Sequence, residues 1–204
     1  MFGEPDSEWP TVTVKDIASV KGGKRLPKGA DYAAAPTPYP YVRVVDLKNG
    51  AISTADLRYL TSDVQATISR YTVASGDVVI SIAGSIGLVA PVPDELVGAN
   101  LTENAAKLVP HQKDLYEAEW LAAALRSAGL QSQIRSHVGQ VTIGKLALFR
   151  IEKLSLILPP IEVQRRFMKR VRKAAALRAV FDPCSREVEE LFEALQASAF
   201  RGEL

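Results

Sequence analysis

The sequence is poor in the residues that build disulfides, metal sites and membrane spans. It has one cysteine, Cys184, so no internal disulfide can form and a reducing cytoplasm is the expected compartment. Its two histidines, His111 and His137, stand far apart, which with a single cysteine argues against a structural zinc site. No apolar run approaches the ~20 residues of a membrane helix. The opening "MFGEPDSEWPTV" has neither a basic stretch nor an apolar one, so no signal peptide is expected. Aromatic residues are 7% of the chain and the net charge is only +2, too little by itself to indicate nucleic-acid binding.

What is present is an ordinary globular composition, 47% hydrophobic and 24% charged over 204 residues. "GQVTIGKLALFRI" (139–151) nearly reproduces a phosphate-binding loop, with Gly139, Gly144 and Lys145 at the right spacing. The position that should give Mg²⁺ a hydroxyl holds Leu146, and the preceding "LQSQIRSHV" is polar and helix-like rather than a buried strand. A nucleotide site is therefore not expected there.

Residues 1–158 alternate short β-like runs with turns. "TVTV" (11–14), "YPYVRVV" (39–45), "DVVISIAG" (77–84), "GLVAPV" (87–92) and "LSLIL" (154–158) are rich in β-branched and aromatic residues. Asn49-Gly50 reads as a hairpin turn, because both residues tolerate positive φ. "DLYEAEWLAAALRS" (114–127) is a clear helix and "TSDVQATISRY" (61–71) a weaker one, with Thr61 or Ser62 as cap. The expected fold is an α+β (mixed α/β) domain over 1–158, followed by a long helical, coiled-coil region over 159–204.

Pro159-Pro160 marks the change. Beyond it Leu177, Phe181, Cys184, Val188, Leu191, Leu195 and Ser198 recur at alternating steps of four and three, the seam of a coiled coil. Upstream, Ile161, Phe167, Met168 and Val171 make a second stripe in another register. Pro183 is expected to kink or restart the helix. The charge is divided: 161–181 carries a net of +6 and 182–204 a net of −4. Two copies laid antiparallel would set each basic half against the other's acidic half and bury both seams. A tail that folds back on its own globule is the simpler alternative.

At this point the residues resemble a known family. "LILPPIEVQRRFMKRV" is similar to the junction before the helix in specificity subunits of type I restriction–modification systems. Leu158, Pro159, Pro160, Ile161 and Gln164 match its pattern, and "ASAFRGEL" is similar to the end of that helix. The blocks "YPYVRVVDLKNGAI", "SGDVVISIAGSIGLVA" and "GQVTIGKLALFRIEKLSLILPP" resemble parts of the family's target-recognition domain. A full subunit has two such domains and two helical regions. Here there is one of each and no internal repeat, so the resemblance implies a half-size subunit, or one half of a larger chain.

The resemblance further implies double-stranded DNA as ligand, a homodimer facing inverted half-sites, and a DNA methyltransferase subunit as partner, with or without a motor–nuclease subunit. Neither a methyltransferase motif nor a nuclease carboxylate cluster is visible. The expectation is thus a non-catalytic subunit with no cofactor. The candidate DNA contacts are Lys21, Lys24, Arg25 and Lys28 in the glycine-containing loop; Tyr39, Tyr41 and Arg43; Arg58 and Arg70; Ser81 and Ser85; Asn100, Thr102 and Asn104; and Arg135, His137, Gln140, Thr142 and Lys145. His137 finds no partner in a catalytic motif and reads as a polar contact or a core residue. The helix contacts expected are Phe167, Met168, Val171, Leu177, Phe181, Val188, Leu191 and Leu195. A coiled-coil adaptor whose globule binds protein rather than DNA is the alternative from another class.

Overall fold

The computed structural model describes residues 8–112, 114–138 and 144–201; within the last helix the side chains of 180, 182–189, 191, 194 and 197 stand outside the description. In chain order the elements are β1 (Thr11–Thr13), α1 (Val14–Ile17), β2 (Ala18–Gly22), β3 (Pro40–Val42), β4 (Leu47–Lys48), β5 (Ala51–Ile52) and β6 (Arg58–Tyr59). They continue with α2 (Ser62–Thr67), β7 (Val78–Ser81), β8 (Val89–Pro91), β9 (Asn100–Leu101), β10 (Ala105–Pro110), α3 (Ala118–Leu125) and α4 (Ala128–Val138). The last are α5 (Leu148–Glu152), β11 (Ser155–Ile157) and α6 (Ile161–Phe200).

A four-stranded antiparallel sheet in the order β2-β10-β7-β8 forms the centre. Every residue of β7, "VVIS", is buried, which is why that strand reads as an unbroken apolar run rather than an alternation. A smaller sheet, β6-β3-β9, pairs β3 with β9 in parallel. Val42 and Leu101 from this sheet share one apolar cluster with Val79, Ala90 and Ala105 from the first, so the core lies between the two. β1 pairs with β11, joining Thr11 to Ile157.

Local chemistry accounts for where elements start and stop. Thr61 caps α2, its hydroxyl accepting from the Val64 N–H at 3.4 Å. Asn49 (φ 52°) and Gly50 (φ 79°) form the expected tight turn between β4 and β5. The expected strand over 39–45 is cut short at Val42. The Asp46 carboxylate accepts the Arg43 N–H at 2.7 Å, and this cap folds Val44–Asp46 into a turn of 3₁₀ helix.

The chain divides into two compact units, 1–164 and 165–204. The first ends at Gln164, whose side chain is tied into it. Gln164 is fully buried; its Oε1 accepts from the Glu117 N–H, and its Nε2 donates to the carbonyls of Leu115 and Pro159. A glutamine at the start of α6 thus satisfies the Pro159 carbonyl of the junction and ties it to the Leu115–Glu117 segment. The second unit carries α6 from Arg165 onward. The helix α6 continues through Pro183, where a kink or a restart was expected, and spans roughly 60 Å at 1.5 Å per residue. Of the seam residues, Leu177, Phe181 and Leu195 are exposed, whereas Met168 of the upstream stripe is buried and Phe167 and Val171 are partly so. Val188 and Leu191 lie among the side chains outside the description.

Candidate nucleic-acid interface

The loop after β2 is fixed by its backbone before any side chain acts. The Gly23 N–H donates to the Ala105 carbonyl (3.0 Å) and the Lys24 N–H to the Leu101 carbonyl (2.8 Å). The Tyr41 hydroxyl donates to the Lys24 carbonyl at 2.9 Å. A Cβ at position 23 would fall inside contact distance of the Leu101 and Thr102 carbonyl oxygens, so only glycine lets the two segments lie this close.

Arg25 is the first side chain beyond this clamp. Its Nε donates to Glu103 Oε1 at 2.8 Å, and Glu103 Oε2 accepts from the Thr102 hydroxyl at 3.1 Å. Burial works against the Glu103 carboxylate, but the Arg25 guanidinium, its own backbone and Thr102 together hold its pKa below the usual range. The hydrogen bond to Glu103 in turn raises the Arg25 guanidinium. The pair divides two open grooves. One, of about 570 Å³, has Gly22–Arg25 on one wall and Lys145–Leu148 on the other. The second, of about 520 Å³, is bordered by Leu26, Tyr32, Tyr41, Arg43 and Asn104.

The near-miss phosphate loop ends on the first groove. Lys145 bridges Ala83 across an isolated antiparallel pair, and the Leu146 N–H donates to the Ile82 carbonyl at 2.8 Å. Leu146 is wholly buried, so the residue that breaks the phosphate-loop pattern is a core residue. Lys145 itself is exposed, as are Lys21, Lys24 and Lys28. Lys24 additionally lies over the Tyr71 ring, 5.8 Å from its centroid.

Several expected contacts belong instead to the interior. Asn100 is fully buried and its amide donates to the Ile68 carbonyl at 2.7 Å. Ser81, also fully buried, donates to the Ser85 carbonyl and accepts the Leu88 N–H. Tyr41 and Thr102 are buried as well, with burial pushing the Tyr41 hydroxyl up to about 12. Asn100 and Ser81 are held inside by these bonds, whereas Tyr41 and Thr102 also line the second groove. Arg43 is nearly enclosed and is bound by Asp46 through Nε and Nη2 and by Asp56 through Nη2. Tyr39 packs beside the Tyr41–Leu60–Ile68 cluster.

Ser85, Arg58, Arg70 and Arg135 are exposed, and Asn104 is half-buried on the rim of the second groove. Arg135 and His137 are on α4, whose last turn hydrogen-bonds Arg150 through the His137 carbonyl, and neither borders the two grooves. Gln140 and Thr142 lie outside the described residues. The residue the sequence reading passed over is Glu103. Its signal was there, an acid between Thr102 and Asn104 in an otherwise basic and amide-rich set. Among the described residues no helix is long and apolar enough to cross a membrane, and no cluster of histidine, cysteine and acidic residues could hold a metal ion.

The family model described as the type I restriction modification DNA specificity domain matches residues 6–176. The chain belongs to this family. It is 25% identical over 167 residues to the EcoBI specificity subunit of the type I restriction enzyme from Escherichia coli, a match that covers 80% of this chain and 35% of that one. The HsdS subunit from Thermoanaerobacter tengcongensis has the same fold, with a TM-score of 0.60 at 22% identity over 88% of this chain and 47% of its own. A chain from the structure of an assembled type I restriction–modification system aligns over all of this one and 48% of its own, at a TM-score of 0.69 and 21% identity. This specificity-family chain therefore spans about half the length of the solved relatives and about a third of the curated one.

Proposed function

We propose that this chain is the DNA-recognition module of a type I restriction–modification complex, acting as a half-subunit. The module is not a catalyst; a separate DNA methyltransferase subunit transfers the methyl group and, where one is present, a motor–nuclease subunit cuts. The observation that carries the DNA-binding face is the rim at Lys24, Arg25 and Lys145, cations presented on a backbone clamped by Gly23, with Lys21 and Lys28 exposed on either side in sequence. Lysines contact phosphates and set register, while the exposed Arg25 and the rim residue Asn104 approach base edges. Membership of the family supports this reading, because its model is that of a DNA specificity domain.

The homodimer is part of the same proposal. Leu177, Phe181 and Leu195 are exposed along α6, and the charge of that helix is basic in its first half and acidic in its second. Antiparallel pairing of two copies covers this stripe and matches the charges. Two identical domains then meet an inverted-repeat target whose spacer is set by the helix pair.

The test is binding to duplex DNA across a salt titration, using the full chain with its methyltransferase subunit. A steep fall in affinity with salt, together with one preferred bipartite sequence, is expected. If the complex retains no duplex at any salt concentration, the chain is a protein-binding adaptor instead. Light scattering of the chain should give a dimer, weakened by reversing the charges at 165–173.

A further inference from the structure

We infer that Arg25 reads a guanine and that Glu103 is the residue that makes it do so. This rests on the DNA-recognition reading above and names what one side chain at that face recognises.

An exposed arginine at a DNA-facing rim has two uses, a phosphate clamp or a bidentate reader of guanine O6 and N7. The geometry here separates them. The guanidinium has two edges that can donate in pairs. Glu103 occupies Nε at 2.8 Å, and among the described residues nothing hydrogen-bonds the two terminal nitrogens. The Arg25 side chain is 78% exposed while Glu103 is only 25% exposed. The carboxylate therefore sits behind the fork, and the outward-facing donors are the pair whose spacing fits O6 and N7.

Charge decides which acceptor is favoured. A phosphate drawn to those terminal nitrogens would approach a carboxylate that already lies on the same guanidinium, and the like charges oppose one another. Guanine O6 and N7 are neutral acceptors and meet no such opposition. Lys21, Lys28 and Lys145 have no ion-pair partner among the described residues, so the phosphate-binding role falls to them. Arg25 differs from its neighbours in this one respect.

The pair is also held in advance. Gly23 and Lys24 are tied by their N–H groups to Ala105 and Leu101, Tyr41 holds the Lys24 carbonyl, and Thr102 holds the second oxygen of Glu103. A long side chain with its root and its Nε both fixed loses little further freedom on meeting a base. The grooves on either side leave room for the base edge to approach.

Selection from a pool of duplexes with randomised base pairs tests this, using the full chain in complex with its methyltransferase subunit. The wild type should return a consensus with a guanine in each half-site. Arg25→Lys keeps the charge and loses the fork, so preference for that guanine should fall about ten- to a hundredfold with every other position unchanged. Glu103→Ala should lower the same preference, because Nε loses its acceptor and no carboxylate then opposes a phosphate at the terminal nitrogens. Glu103→Gln keeps an acceptor for Nε and should recover part of the preference, which a purely structural role for Glu103 would not produce. A consensus unchanged at every position in Arg25→Lys, or one weakened equally throughout, would overturn the inference and make Arg25 a phosphate contact or a bystander. No duplex retained by the wild type would instead remove the DNA-recognition reading itself, and this inference with it.

Discussion

Arg25 and Arg43 border the same groove, each paired with an acid, and the fold uses them in opposite ways. Arg43 is 19% exposed and its partner Asp46 4%. Both carboxylate oxygens of Asp46, the carbonyl of Asp56 and the Asp56 carboxylate surround its guanidinium. The hydrogen bond to Asp46 raises its pKa against the opposing pull of burial. Such a pair fixes the corner where β3 ends. Arg25 touches one acid through one nitrogen and faces water with the rest. A largely enclosed guanidinium held through Nε and Nη2 by two acids defines a shape, whereas an exposed one with a free edge can recognise a ligand.

The largest effect should come from breaking the enclosed pair. Asp46→Ala leaves the Arg43 charge without its main partner and removes the cap on the 3₁₀ turn, so urea denaturation should show a loss of about 3 kcal/mol. Next is Gly23→Ala, where a methyl group meets two carbonyls. About 1–3 kcal/mol is expected from overpacking, with DNA retention falling as the loop is displaced. Arg25→Ala should change unfolding free energy by no more than about 0.5 kcal/mol, as befits an exposed side chain. An Arg25→Ala loss as large as that of Asp46→Ala would erase the contrast between the two arginines.

The smallest effect is a pH dependence. The Glu103 pKa is lowered in the folded chain, so the paired form is fully present above the ordinary carboxylate value and is lost only as pH falls through the depressed one. Guanine preference in the duplex selection should therefore be flat from neutrality down to about pH 5. A decline that begins near pH 6 would place a different group at the fork.

Much of the fold was legible because local chemistry decided it. Asn49-Gly50, Thr61 and the apolar run of β7 carry their structure in their own side chains and backbone preferences. The helix α4 was foreshadowed by "LQSQIRSHV", and the failed phosphate loop by Leu146. What was not legible depends on pairing across long separations. That β3 lies parallel to β9, or that Asn100 points inward to Ile68, cannot be read from either segment alone. The same holds for the site. The cations were visible as a basic loop, but a buried Asn100, Ser81, Tyr41 or Thr102 looks from sequence like any exposed polar residue. Glu103 gains its meaning only from Arg25, 78 residues away in the chain.

The pairing of β1 with β11 has a consequence for biosynthesis. Thr11–Thr13 meet their partners only when Ser155–Ile157 have left the ribosome. At about 5–20 residues per second the first strand waits on the order of ten to thirty seconds for its mate. During that interval one edge of the nascent globule is open, and the strand that seals it is among the last segments of that globule to be made.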